Sequence, residues 1–241
     1  MKKYLLVSEG PTDHVVIKEI AKKISSEIGQ SIEIVELSPQ RDATSGTYPA
    51  HGWNAIQSWC KKFSTKSQES MAHLPASTQQ FLRRQSWRSL LAFDGSIGLL
   101  IQLDTDIAQD LRDLKVIEPG DCRKTHCKEA ILTWLNESAD VDGLYLALTA
   151  HALETWILAT HSPSDPVFDD LPENFNYEHI EDVEERLISL GYESKMKRGR
   201  QRLKKSPYTI YDNYAKKIAA DLSNVRSRCE AADEFCKHLE A

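Results

Sequence analysis

LLVSEGPTDHVVIKEI, residues 5–20, changes character at Ser8. Leu5–Val7 is a continuous apolar run, Gly10 and Pro11 form a turn signal, and apolar residues then return at Val15, Val16, Ile20, Ile24 and Ile28, one face of a helix. A short apolar run that breaks at Gly-Pro and passes into a 3.6-residue period reads as a strand feeding a helix, with Thr12 as the expected N-cap. Two carboxylates, Glu9 and Asp13, flank the turn at the end of that strand.

The same rhythm continues outward. The first strand is expected over Tyr4–Val7, and Ile32–Leu37, Gly98–Leu103 and Leu144–Leu148 are further short apolar runs, the pattern of strands covered on both faces. Helical patterns cover Trp53–Phe63, Cys122–Asn136, Ala150–Thr160, Ile180–Leu190 and Pro207–Ala220, with a last helix reaching Leu239. Strands alternating with helices predict an α/β fold around a mostly parallel sheet with right-handed crossovers. Residues 39–96 separate the second and third strands by far more than a usual crossover and read as a helical insertion, loose over TKSQESMAHLPASTQQ. The organisation expected is a catalytic domain over 1–160, interrupted by that insertion, and a mainly helical extension over 161–241.

The 241 residues, 41% apolar and 27% charged, suit a globular chain with one well-buried core and an appendage. No run approaches the length of a membrane span, and the N-terminal MKKYLLVSEG lacks a signal-peptide core, so a cytoplasmic protein is expected, without membrane partners. Five cysteines are an odd number for a disulfide framework. Cys122, His126, Cys127, Cys229, Cys236 and His238 lack the paired CxxC spacing of structural zinc, and packed thiols are the expectation.

In a parallel sheet, functional groups collect beyond the carboxyl ends of the strands. Glu9 and Asp13 follow the first strand; LLIQLDTD places Asp104 and Asp106 at the end of the third; LYLALTAHALETW places Glu154 one turn into the helix after the fourth. If the chain stays extended, Asp104 and Asp106 point to one side. Each feature alone is ordinary: a turn, a cap, a solvated helix residue. Together they are a cluster of negative charge that a divalent cation would neutralise, and all-oxygen ligation suits Mg²⁺ or Mn²⁺. Such ions activate water and stabilise the leaving oxygen in phosphodiester cleavage. Gly10 would let a phosphate come close to the backbone.

Strand–Glu9-Gly10-x-x-Asp13–helix, followed later by apolar strand–Asp104-x-Asp106, resembles the Toprim domain of topoisomerases, bacterial primases and OLD-family nucleases. Asp13 is similar to the extra acid of the OLD-type branch, and ALETWILA around Glu154 to its second metal-binding segment. The resemblance covers roughly residues 1–160 outside the insertion, and is shared with small stand-alone Toprim proteins of bacterial anti-phage systems. It implies a Toprim-like fold and a metal-dependent nuclease of DNA or RNA. Glu9 would be a metal ligand or general acid/base, Asp104 and Asp106 would hold the metal, and Asp13 and Glu154 would complete a two-metal site. It also implies a late catalytic lysine, for which Lys204 and Lys205 compete, with Lys205 the choice made here. No GxxxxGK[ST] motif is present, so a separate ATPase or other defence-system partner is expected.

Charge distribution supports a phosphate-rich partner despite a net charge of −6. Ser162–Glu193 holds ten acidic residues and one basic; Lys195–Lys205 then holds seven basic residues and no acid. Lys195, Lys197, Arg198, Arg200, Arg202 and Lys204 are the expected nucleic-acid contacts, against the alternative of a solvated helix face or loop. Tyr208, Tyr211 and Tyr214 repeat every third residue and are read as helix packing ahead of base stacking. His14, His51 and His151 lie beside the motifs and are read as structural. Two other functions fit less of the pattern. A non-catalytic Toprim-like subunit that binds nucleic acid or a partner would not need all five acids. A HAD-like phosphatase would open with its Asp-x-Asp and leave Glu9–Asp13 unexplained.

Overall fold

A computed structural model describes residues 1–48, 51–111, 117–118, 120–138, 141–197, 199–205 and 209–241. Its elements run β1 (Lys2–Val7), α1 (Pro11–Ile28), β2 (Ile32–Ser38), α2 (Trp53–Lys62), α3 (Gln68–Met71) and α4 (Ala76–Arg84). Then follow α5 (Trp87–Asp94), β3 (Gly98–Asp104), α6 (Arg123–Leu135), β4 (Leu144–Thr149), α7 (Glu154–Leu158) and α8 (Val183–Ser189). The chain ends with β5 (Ser194–Lys197), β6 (Arg200–Leu203), α9 (Thr209–Ala220), α10 (Leu222–Arg228) and α11 (Glu230–Glu240). The architecture is α/β, a mostly parallel four-stranded sheet flanked by helices. Among the described residues, no helix is long and apolar enough to cross a membrane.

Two compact units divide the chain: residues 1–10 with 31–148, and residues 11–30 with 149–241. The first holds the sheet, in the order β2-β1-β3-β4. Central β1 pairs in parallel with β2 and β3, placing Tyr4 beside both Ile34 and Gly98. Leu5, Val7, Leu99, Ile101 and Leu103 alternate onto one face and pack with Ile56, Trp59, Trp87, Ile131 and Trp134. Leu6, Leu100 and Gln102, on the alternate positions, are also fully buried, so both faces of the central strands are covered and a continuous apolar run is what such strands require. The expected four strands are all present, each within two residues of its predicted bounds.

The insertion is more ordered than its composition suggests: α2, α3, α4 and α5 fill it, and Ser67 and Ser86 cap α3 and α5 by accepting the amides of Ser70 and Ser89. Glu137 ties it to the sheet layer. Its carboxylate takes bonds from Thr65 Oγ1, Trp87 Nε1 (2.8 Å) and Arg88 (2.8 Å), and these donors outweigh burial to hold its pKa below the usual carboxylate range.

In the second unit α1 packs against α9 and α11. The buried stripe of α1 is Val16, Ile17, Ile20, Ala21 and Ile24, with Ile28 38% exposed at its end. That stripe is rotated from the expected one, with Ile17 and Ala21 buried while Val15 is only half-buried. Pro11 opens the helix, as its fixed φ and missing N–H allow at a first position, and Thr12 lies inside the first turn instead of capping it. Trp156 of α7 stacks on Phe235 of α11 with ring centroids 6.1 Å apart. Arg186 of α8 joins Asp170 and Asp182 at 2.7 and 2.8 Å. The extension is not purely helical, since the basic run forms the antiparallel hairpin β5–β6.

Candidate active site

The first unit assembles its site where β1 and β3 end side by side. The parallel register sets Val7 opposite Ile101, so the residues just beyond, Glu9 and Asp104, leave the sheet at the same edge. Glu9 accepts the backbone N–H of Asp104 through its carboxylate at 2.9 Å. Gln102, fully buried, joins the two from below: its carbonyl oxygen receives the Glu9 N–H at 3.4 Å, and its amide donates to Asp104 Oδ1 at 2.8 Å. The turn itself is pinned on both sides. Ser8 donates its backbone N–H to the Ser38 carbonyl (2.9 Å) and its hydroxyl to the Gly10 carbonyl (2.9 Å), and Gly52 donates to the Glu9 carbonyl (2.6 Å).

Asp106 is exposed, in the first turn of a 3₁₀ segment, Thr105–Asp110. The expectation that Asp104 and Asp106 share one side of an extended chain is corrected here, because extension ends at Asp104 and the backbone coils from Thr105 onward. Asp106 nevertheless belongs to the same electrostatic environment as Glu9. Burial, then the charges of Glu9 and Asp106, push the Cys127 thiol up to about 12, so that it stays protonated beside them. Among the described residues no three His, Cys, Asp or Glu side chains are gathered tightly enough to hold a metal ion. What the structure brings together is a pair of hard oxygen donors, Glu9 and Asp104, each with one oxygen fixed by an N–H donor. That donor chemistry fits Mg²⁺ or Mn²⁺ and not a soft metal.

Asp13 and Glu154 belong to the second unit. Asp13 is buried in the first turn of α1, with Thr12 Oγ1 donating to its Oδ1 at 3.4 Å. Glu154 is 4% exposed and opens α7 as its first residue. It is not one turn into a helix as expected: Ala150–Leu153 precede that helix, and His151, at φ 58°, is off any helical face shared with Glu154. Glu154 pairs with Lys205 and accepts the hydroxyl of Tyr211. Burial would raise its pKa, but Lys205 and then Tyr211 outweigh that and hold it ionised, below the usual range. The two late lysines are thereby distinguished. Lys204 is bound to Glu193 at 2.7 Å, while Lys205 is the one joined to a predicted site carboxylate.

The basic hairpin has a definite pattern. Lys195 stands opposite Arg202, and Lys197 opposite Arg200, so all four project from one face of the ribbon, with Met196 and Gln201 on the other. Arg202 reaches Glu184 at 3.2 Å. Lys195, Lys197 and Arg200 are exposed, and Arg198 lies outside the described residues. Directly opposed like charges weaken a two-stranded ribbon, and an anion lying along that face removes the penalty. Of the tyrosines, Tyr211 is buried and Tyr214 packs edge-on against it at 5.3 Å, the packing role expected; Tyr208 lies outside the described residues.

Comparison with family models, with characterised proteins and with solved structures yields no match. The chemistry therefore rests on the residues themselves. Two of them were not anticipated: Gln102, visible in sequence as the one polar side chain within Gly98–Leu103, and Tyr211, whose helix-face spacing gave no sign that it donates to Glu154.

Proposed function

We propose that the protein is a divalent-metal-dependent nuclease that cleaves phosphodiester bonds, with Glu9 and Asp104 as the principal metal ligands and Asp106 the third acid beside them. The observation that carries this reading is the Glu9–Asp104 junction: two acidic residues at the ends of neighbouring parallel strands, the Glu9 carboxylate held by the Asp104 N–H and the Asp104 carboxylate by the buried Gln102 amide, at the carboxyl edge of the sheet. A Mg²⁺ or Mn²⁺ held by Glu9 and Asp104 would supply charge neutralisation at the scissile phosphate and lower the pKa of a bound water. The chain's own part is positional. Gln102 and the Asp104 N–H hold the oxygens, and Gly10, beside Glu9, presents no side chain towards an approaching phosphate. This reading agrees with the resemblance to Toprim nucleases and to small stand-alone Toprim proteins of anti-phage systems, and with a separate ATPase or other defence-system partner. The cationic face of β5–β6 supports a nucleic-acid substrate.

The test is direct. Purified protein is incubated with plasmid, single-stranded DNA and tRNA in Mg²⁺, in Mn²⁺ and in EDTA. Cleavage of at least one substrate that depends on metal and disappears in Asp104→Asn is the expected result. No cleavage of any of the three by intact, metal-loaded protein refutes an autonomous nuclease and leaves binding or regulation by the same fold.

A further inference from the structure

We propose that the cleft along α2 is a nucleobase subsite, holding a base of the strand whose phosphate lies at Glu9 and Asp104; the idea rests on the nuclease reading. The cleft is an open groove of about 450 Å³, within the volume range of small-ligand sites. Asn54, Ser58 and Lys62 line it at successive four-residue intervals, so they form one stripe along the helix. Trp59 supplies an apolar wall, His51 stands at the helix entrance, and Ser38 closes the cleft from the end of β2.

Its position ties it to the carboxylate pair. Ser38 receives the Ser8 N–H, and Gly52, next to His51, donates to the Glu9 carbonyl, so the end of β2 and the entrance of α2 are both hydrogen-bonded to the turn that presents Glu9. From Asn54 to Lys62 the helix rises roughly 12 Å. That length takes a base and sugar, with one phosphate near Glu9 and the other within reach of the Lys62 ammonium.

The chemistry of the lining matches a base better than an apolar ligand or a bare anion. An amide and a hydroxyl one helical turn apart offer both donors and acceptors to a heterocycle edge, while the largely buried Trp59 bounds the cleft on its apolar side and exposed His51 offers a ring at the entrance. The cation sits at one end of the stripe, where a phosphate belongs, and not in its middle. The rest of α2 explains why the stripe can be spared for binding: Ile56 and Cys60 face the core and carry the packing.

The experiment titrates the four deoxynucleoside 5′-monophosphates, and the corresponding nucleosides, into the whole protein in EDTA, followed by calorimetry. Saturable binding is expected, weakened at least tenfold (about 1.4 kcal/mol) by Asn54→Leu. Lys62→Gln should weaken the monophosphates severalfold and leave the nucleosides unchanged. Both side chains are exposed on α2, and unchanged melting of the variants verifies the fold. No saturable binding to wild type, or binding indifferent to both substitutions, overturns the subsite. Because metal is excluded, the two proposals separate: binding without metal-dependent cleavage overturns only the nuclease reading, and cleavage without nucleotide binding overturns only the subsite.

Discussion

The backbone N–H of Asp104 donates to the carboxylate of Glu9 at 2.9 Å, across a sequence separation of 95 residues. A carboxylate fixed in this way is aimed before any ligand arrives, which is the condition for charge stabilisation without reorganisation. Glu9→Gln keeps an acceptor for that N–H but removes the charge. We expect it to retain the melting temperature within a few degrees while cleavage falls about a hundredfold or more, the size of losing several kcal/mol of metal-borne stabilisation. Electron paramagnetic resonance of Mn²⁺ would report the loss of binding independently of turnover. Wild-type rates in Glu9→Gln would remove the residue from the site.

Gln102 is the more diagnostic position. Burying an amide in the central strand is costly unless its bonds are made, and this one makes them to the two residues that matter. Gln102→Leu has nearly the same shape and deprives Asp104 of a donor. A loss of 1–3 kcal/mol in stability is expected, together with a 10–100-fold weaker metal affinity, the range for residues that orient ligands. Gln102→Glu places a third carboxylate against Glu9 and Asp104 and should be worse without metal than with it. If melting temperatures of the two variants respond equally to Mn²⁺, Gln102 is only a strand residue.

The hairpin prediction concerns salt. Each phosphate neutralised on B-DNA contributes about 0.9 to the slope of log K against log salt. Replacing Lys195, Lys197 and Arg200 by Gln should lower that slope by about 2–3 for a duplex, with little sequence dependence. Arg202→Gln should change it less, because Arg202 is already committed to Glu184. The ribbon itself should melt no earlier in the triple variant, since opposed like charges have been removed. An unchanged slope would reduce the face to a solvated surface.

The strands and the placement of acids at their ends were legible because both depend on local signals: a continuous apolar run, a Gly-Pro break, an Asp-x-Asp. What was not legible depended on contacts far along the chain. Lys195–Leu203 carries the charge density of a solvated helix or loop, yet it folds as a hairpin, with Gly199 at φ 77° in the turn and Leu203 buried against the body. The start of α7 was misplaced because Ala150–Leu153 has good helix formers, while the backbone at His151 enters the left-handed region. The helical period of α1 was correct, but its buried face follows from packing against α9 and α11, which lie far along the chain. Gln102 gave no sign of its role because its two partners are fixed by the register of β1 on β3, which one sequence does not display.

Glu154 and Lys205 give the last prediction. Glu154 is buried and Lys205 partly in water, so removing the lysine leaves a charge that burial disfavours, whereas removing the carboxylate leaves a lysine that water can solvate. Lys205→Met should therefore cost about 2 kcal/mol at pH 7, below the 3–5 kcal/mol of a pair enclosed on both sides. Lys204→Met, whose partner Glu193 is exposed, should cost under about 0.5 kcal/mol. The pH dependence fixes the cause. In wild type the folded pKa of Glu154 is below its unfolded value, so the unfolded chain takes the proton first. The contribution is complete above the ordinary glutamate value of about 4.3 and is lost as the pH falls through the folded value. In Lys205→Met burial prevails, the folded pKa rises above the unfolded one, and protonation relieves the buried charge. Urea unfolding at pH 7 and pH 4 should show the gap between Lys205→Met and wild type closing as acid is added. A gap of equal size at both pH values would mean that Lys205 contributes through packing and not through the charge of Glu154.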